Sequence, residues 1–286
     1  MDEKILNNPH EKVGPTAWGI AYRRAGCDIP YAKEIYDELV KVMTSEERVK
    51  MEALVSEKDQ ALTPQFEARY KLLNRLLRKT GIKQIIELAS GIAPRGIEMT
   101  QDKTVTYVEM DLSGIIKQKE EIINALVGQS TISQPDNLHL ISGSALDDLS
   151  SIGSVFDATK PIAIIHEGLM RYLTFKEKAR VVQNVKTILE KFGGIYITPD
   201  ITLKVFIDER VQKVVSNMVG MDINANAFEN VEAAEKFFGD FDFTIEKHSF
   251  TEARDELVSP QRLGLSEAQV GNAINTPVFF VMKLKK

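Results

Sequence analysis

Cysteine is almost missing from this sequence: Cys27 is the one example in 286 residues. No intrachain disulfide can form, and no cysteine cage can hold zinc. The four histidines, His10, His139, His166 and His248, are too dispersed for a zinc pattern, so no metal is expected. Apolar runs are short, and none approaches the ~20 residues that span a bilayer. The opening stretch, Met1 to Val13, is polar and carries Asp2, Glu3 and Lys4 before any apolar segment, unlike a signal peptide. These absences predict a cytoplasmic protein with no membrane partner. Positive charge is also in short supply, the formal net charge being −5. Binding a phosphate backbone needs a surplus of Lys and Arg, so nucleic acid is not an expected partner. The short basic runs Arg23-Arg24 and Lys283 to Lys286 read by composition as solvated surface. Internal repeats, low-complexity segments and linkers rich in Pro, Gly or Ser are missing too, which favours one domain over 1–286.

What is present is ordinary globular material, 43% hydrophobic and 27% charged, enough to bury a sizeable core. Residues 14 to 80 read as helical and predict an N-terminal helical cap. Tyr31, Ile35, Leu39 and Met43 recur at helical spacing after Asp28 and Pro30, and a second helix covers about Glu46 to Glu57. The third has Thr63 as N-cap candidate, Pro64 at its first position, a stripe of Phe66, Tyr70, Leu73 and Leu77, and Gly81 as stop.

From Ile82 the pattern becomes short apolar runs alternating with helices. Strands are predicted at Ile82–Leu88, Val105–Met110, Leu138–Ser142, Ile162–His166 and Ile195–Pro199. Helices are predicted at about Gly96–Thr100, Ser113–Val127 and Phe175–Lys191, the last opened by the capping-box pair Thr174 and Glu177. This alternation predicts a doubly wound α/β sheet covered on both faces. The end differs: a helix at Val231–Phe238, then strands at Phe241–Phe250 and Pro277–Lys285 with no clear helix between them. That ending predicts an antiparallel last strand and seven strands in all.

The informative stretch is Glu87-Leu-Ala-Ser-Gly91-Ile-Ala-Pro-Arg95-Gly96. An apolar strand ends in an acid, and a loop of small residues leads into a helix, as needed where a cofactor lies against bare backbone. Twenty residues after Gly91, Asp111 ends the next strand, where an acid can accept both ribose hydroxyls of an adenosine cofactor. A plain tight turn at Gly91, or helix capping by Asp111, would look similar. A dinucleotide needs backbone N–H groups for its pyrophosphate. Pro94 removes one, the Gly-x-Gly-x-x-Gly spacing is not met, and Glu87 would repel phosphates. A cofactor bearing a sulfonium and an ammonium suits these residues better.

At this point the sequence resembles a known family. Glu87 to Arg95, Tyr107-Val-Glu-Met-Asp111-Leu112, and His166-Glu167-Gly168-Leu-Met-Arg-Tyr172-Leu173 look like successive signatures of the leucine carboxyl methyltransferase-like family, which includes polyketide O-methyltransferases. Thr16-Ala17, Arg23-Arg24-Ala25 and Arg69 resemble its N-terminal elements. The resemblance implies a Rossmann-like class I methyltransferase that binds S-adenosylmethionine and releases S-adenosylhomocysteine. It implies that Arg69 pairs with the cofactor carboxylate, that Gly91 and its neighbours Glu87 and Ala89 cradle the methionine portion, and that Asp111, with Leu112 beside it, holds the ribose. Ser144, Ala145 and Leu146 would face the adenine, and Glu167 would close the site near the amino group. The sequence departs from the family at Ala89, where glycine is usual, at Ser144, where an acid is frequent, and at Ala93-Pro94.

His166 ends a strand at the ligand edge of the sheet and is either a general base or a hydrogen-bonded core histidine. Trp18 and Tyr22, four apart, line an acceptor pocket or simply pack helices; Arg24 and Tyr172 are further acceptor-side candidates. Asn217, Met218, Met221, Asn224 and Asn226 belong to an insert at about 200–230 that lids the acceptor or is a surface loop. The expected reaction is O-methylation of a small-molecule or peptide-like acceptor, carboxylate or hydroxyl, by a monomer or homodimer. A nicotinamide-dependent oxidoreductase, a catalytically inactive cofactor-binding interaction protein and a nucleic-acid methyltransferase are the rival readings.

Overall fold

In the computed structural model, which describes residues 14–55, 57–206, 220, 222–275 and 278–285, seven strands form one sheet. They are β1 (Gln84–Leu88), β2 (Thr106–Asp111), β3 (Leu138–Ser142), β4 (Ile162–His166), β5 (Gly194–Thr198), β6 (Phe243–Ser249) and β7 (Val278–Leu284). The order is β3-β2-β1-β4-β5-β7-β6. The pairs among β1 to β5 are parallel, while β7 runs antiparallel between β5 and β6. The antiparallel last strand predicted from sequence is present. It enters the sheet at its interior, beside β5, and β6 takes the edge.

β1 and β4 are buried at every position, as strands covered on both faces must be. Alternation splits their side chains. Ile86, Leu88, Ile162 and Ile164 share one core with Val181, Val182 and Val185 of the helix Phe175–Phe192. Ile85, Ala163 and Ile165 share the other with Leu72, Leu73 and Leu76 of the helix Thr63–Lys79. Strand order reverses between β1 and β4, and a crevice opens beyond their carboxyl ends, where open α/β sheets gather ligands.

The N-terminal helices α1 (Gly14–Ala25), α2 (Ala32–Val42) and α3 (Ser45–Leu54) pack against α6 (Ser113–Gly128) through Trp18, Ile35, Leu39, Ile115 and Ile122. α4 (Thr63–Lys79) lies under the sheet, and α5 (Arg95–Met99) follows β1. α7 (Phe175–Phe192) opens with the Thr174–Glu177 capping box. α8 (Val231–Gly239), α9 (Ser259–Arg262) and α10 (Glu267–Ile274) complete the set among the described residues.

Several predicted boundaries are corrected. Tyr31 is the left-handed N-cap of α2, with φ 61°, and packs against the cluster of Ile35, Leu39 and Met43 from just before the helix. α3 ends at Leu54 and is started by an unpredicted Thr44–Glu47 capping box. Thr63 lies inside α4, because a 3-10 turn, Glu57–Leu62, feeds directly into the helix and leaves Leu62 as an uncapped N-cap. The β6–β7 connection carries helical turns, among them α10 with its own Ser266–Gln269 capping box. Of the insert, Leu203 pairs with Phe228 as an isolated bridge, while Asn217, Met218 and Met221 lie outside the described residues.

Candidate active site

The crevice encloses about 950 Å³, part of it open to solvent, and is walled by the segments following β1, β2, β3 and β4 together with α1 and α4. The turn after β1 is possible because two residues take left-handed backbone, Ala89 at φ 51° and Gly91 at φ 57°. Only Gly91 does so without a side-chain penalty. A Cβ there would meet the Ala17 side chain at 3.3 Å, so α1 closes down on bare backbone.

The N–H groups of this turn are largely committed. Gly91 donates to Asp111 Oδ2 at 2.6 Å, Ser90 to the Met110 carbonyl, Ala93 to the Ser90 carbonyl, and Gly96 to Glu109 Oε1 at 3.1 Å. Pro94 is the N-cap of α5, which has only five residues. A pyrophosphate would therefore find few donors here, which counts against a dinucleotide. Asp111 also accepts from the Leu112 N–H through Oδ1, at 2.7 Å. It braces the loop and the start of α6 while lining the crevice.

Behind the turn lies a buried charge cluster. Arg95, fully enclosed, donates to Glu87 through Nη1, to Glu167 Oε2 through Nη2 at 2.7 Å, and to Asn74 through Nε at 2.6 Å. Tyr107 donates to the second Glu87 oxygen at 2.6 Å. Glu87 lines the crevice with its charge matched by Arg95, which weakens the repulsion of phosphates expected of it from the sequence. Arg24 and Arg69 both donate to Glu167 Oε1, Arg69 through Nε at 2.6 Å. The rings of Tyr70 and Phe66 back the guanidiniums: Arg95 and Arg24 stand 4.6 and 5.0 Å from the Tyr70 centroid, and Arg69 stands 5.0 Å from that of Phe66. Burial would raise Glu167's pKa, but Arg24, Arg69 and Arg95 overcome it and hold the carboxyl well below its usual range.

Among the described residues, three guanidiniums face two carboxylates in this cluster, an excess of one positive charge. Consistent with that excess, burial and the neighbouring Arg95 and Arg69 lower the pKa of Arg24, against the pull of Glu167. Arg24 Nε and Arg69 Nη2 are buried without a hydrogen-bond partner, and both residues line the crevice. A buried donor left unmade is costly.

The remaining predicted residues divide. Ala89, Ser144, Ala145, Leu146 and Tyr172 line the crevice. Ser144 is occupied locally, its Oγ accepting from the Leu146 N–H at 3.2 Å and its N–H donating to Asp147. Arg24 belongs with Arg69 rather than with Trp18 and Tyr22. Trp18 is buried against α6, bonding Gln118 at 3.1 Å, and Tyr22 is an exposed ring edge-on to Tyr36. Neither is among the residues that line the crevice. Arg23 and Arg24 are buried, not solvated surface.

His166 is likewise not in the crevice. Strand alternation turns it, like Ile162 and Ile164, to the α7 face of the sheet, where it is fully buried. There Nε2 bonds the Tyr196 hydroxyl at 2.5 Å and Nδ1 meets Thr198 Oγ1 at 3.3 Å. Burial lowers its pKa to about 4. The ionisable side chains that do line the crevice, among the described residues, are Arg24, Arg69, Glu87, Asp111, Glu167 and Tyr172. Arg95 stood in the quoted motif without a role; an arginine amid small and apolar residues was its available signal. No group of three or more metal-ligating side chains occurs among the described residues, and no helix there is long and apolar enough to cross a membrane.

Comparison with known proteins adds the family. A curated Mycolicibacterium paratuberculosis protein, provisionally named an S-adenosyl-L-methionine-dependent methyltransferase, is 27% identical over 152 residues, 52% of this chain and 48% of its own length. The chain thus spans about half the length of that relative. Among solved structures, magnesium protoporphyrin IX methyltransferase from Synechocystis PCC 6803 with bound S-adenosylhomocysteine is similar at TM-score 0.49 and 10% identity, over 81% of this chain and 89% of that one. A provisionally named O-methyltransferase from Nostoc punctiforme is similar at TM-score 0.46 and 14% identity, over 98% and 71%. Both are loose likenesses. The sequence model of leucine carboxyl methyltransferases matches residues 19–186, more than half of the chain. The chain belongs to the leucine carboxyl methyltransferase family.

Proposed function

We propose that the protein is an S-adenosylmethionine-dependent O-methyltransferase acting on a carboxylate of a small-molecule or peptide-like acceptor. The observation that carries the cofactor assignment is the cluster's excess of guanidiniums over carboxylates among the described residues, with Arg24 and Arg69 both lining the crevice. The methionine carboxylate of the cofactor is the group that fits them. In this reading Arg69 and Arg24 hold that carboxylate, and Glu167 fixes their orientation. The backbone from Ala89 to Ala93 lies along the methionine portion, Asp111 accepts from the ribose, and the Ser144–Leu146 segment lies beside the adenine. The cofactor, when bound, supplies a methyl group already activated on a sulfonium. What remains for the chain is to align the acceptor with it and keep water out.

The carboxylate is favoured over a phenol by what borders the crevice. A phenol, with a reference pKa of about 10, must lose a proton, whereas a carboxylate, at about 4, is ionised at neutral pH. His166 is turned away, Glu167 is held strongly ionised, and Asp111 already accepts two N–H groups. None of them is a poised base. The N-terminal helices belong in this proposal to the same single domain, since Arg24 and Arg69 come from them. A cytoplasmic setting, tested by cell fractionation, completes it.

The test has two arms. Calorimetry with S-adenosylmethionine, S-adenosylhomocysteine and NADH should give binding by the first two and silence from the third. Labelled methyl transferred to carboxylate acceptors should come off in mild base as methanol, because esters hydrolyse. Label that stays on in base would end the carboxylate assignment, and heat from NADH alone would end the methyltransferase one.

A further inference from the structure

We propose that Lys178 and Asp200 are positioning residues: together they hold the crevice segment from Gly168 to Leu173 from behind, and Lys178 ties that segment to the insert around Asn226. Lys178 sits in the first turn of α7 and is 1% exposed. Its ammonium donates to the Leu173 carbonyl and, at 2.6 Å, to the Asn226 carbonyl. One buried cation therefore joins a residue of the crevice wall to one of the segment between β5 and α8. The rings of Phe175 and Phe228 stand 4.9 and 5.9 Å from it and pack edge-to-face on each other.

Asp200, which follows β5 and is also buried, accepts from the Met170 N–H, in the same crevice segment. Its own N–H donates to Thr198 Oγ1 at 3.0 Å. Thus one end of the short turn Met170–Tyr172 is fixed by a carboxylate and the residue just beyond its other end by an ammonium. Between these two points Tyr172 faces the crevice. A buried lysine without a directly bonded carboxylate is expensive to maintain, and this one serves two carbonyls of segments far apart in the chain. The groups that bear on its charge are Asp200 and Glu177, with His166 behind Asp200 at 3.9 Å. Burial lowers the pKa of Lys178 to about 8.

The wall concerned is the acceptor's, on the methyltransferase reading. The segments after β1, β2 and β3 are assigned to the cofactor, which leaves the side beyond β4 and β5. The tie would make order in 222–228 and order in the wall one event.

Hydrogen exchange on the full chain, with no acceptor added, tests this. In Lys178→Met, peptides covering 168–173 and 222–228 should exchange together roughly tenfold faster or more, while β1 peptides keep their protection. In Asp200→Asn only 168–173 should loosen. Exchange in Lys178→Met that is unchanged, that rises in one segment alone, or that rises no more than in β1 overturns the tie. Equal loosening of 222–228 in Asp200→Asn overturns it as well. If Lys178→Met does not fold, the unaltered chain carries the test. Under rising sub-denaturing urea at fixed pH, both segments should lose protection in one step ahead of β1, and separate steps reject the proposal. Calorimetry with S-adenosylhomocysteine on the unaltered chain keeps the two readings apart: silence there removes the methyltransferase assignment and leaves the exchange result standing.

Discussion

Arg24 and Arg69, carried on different helices, donate to the same oxygen of Glu167. Two guanidiniums on one acceptor atom concentrate positive charge beside the crevice. That relationship gives the cap helices a chemical reason to sit on the sheet.

If Arg69 supplies a donor to the cofactor carboxylate, Arg69→Met should weaken S-adenosylhomocysteine binding roughly 10- to 100-fold, the value of one charge-assisted hydrogen bond. Arg69→Lys should recover little, since an ammonium cannot serve Glu167 and a second carboxylate with the same planar geometry. Calorimetry on the three proteins decides it; equal affinities would exclude Arg69 from the cofactor site.

Glu167→Gln leaves three buried guanidiniums with only Glu87 to face them. Breaking a buried ion-pair network by removing one partner costs about 3–5 kcal/mol, which urea unfolding at pH 7 measures. The pH dependence has a defined sign. The folded pKa of Glu167 is depressed, so its stabilisation is full above the unfolded value of about 4.3 and drains as pH falls below that toward the folded value. The unaltered protein should therefore lose stability below pH ~4 more steeply than Glu167→Gln.

His166 titrates in a different window. Its folded pKa of about 4 lies below the unfolded value of about 6.5. The unfolded chain takes up this proton first, so stability is full above pH ~6.5 and declines toward pH ~4. His166→Gln should flatten that decline. On the proposed function it should also leave methyl transfer within about tenfold of the unaltered protein, because general-base loss would cost about 10²–10⁴. A drop of that size would make His166 catalytic after all.

The two left-handed positions of the crevice turn predict opposite signs. Ala89→Gly relieves a conformation that costs a side chain about 1–2 kcal/mol, offset in part by the freedom glycine gains in the unfolded chain. Gly91→Ala adds that strain and a Cβ 3.3 Å from Ala17. Thermal unfolding should show Ala89→Gly neutral or more stable and Gly91→Ala less stable; the reverse order would mean the turn is not held as described.

Legibility in the sequence followed the range of each interaction. The Thr174–Glu177 capping box and the bounds of β3 and β4 are local, and they were readable. Asp111 was readable because it closes a strand at a fixed distance from Gly91. The partners of Glu167 were not, for they stand 143, 98 and 72 residues away, and nothing local marks them. Lys178 escaped because a lysine in a first helical turn normally faces water. The orientation of His166 was available in principle, since strand alternation puts it on the side of Ile164. The helical turns between β6 and β7 were also available, through Ser266 and Gln269.

The place of β7 bears on how the chain is made. It is the last strand in sequence, yet it lies between β5 and β6, with Phe279 and Phe280 fully buried. While a nascent chain still lacks 278–284, β5 keeps an open edge and β6 has no neighbour to bond. Such a chain offers unpaired backbone and bare aromatic surface to chaperones or to other chains. Assembly on the ribosome must therefore wait for the final strand, and shortening that strand should show up first as insolubility rather than as a defect in chemistry.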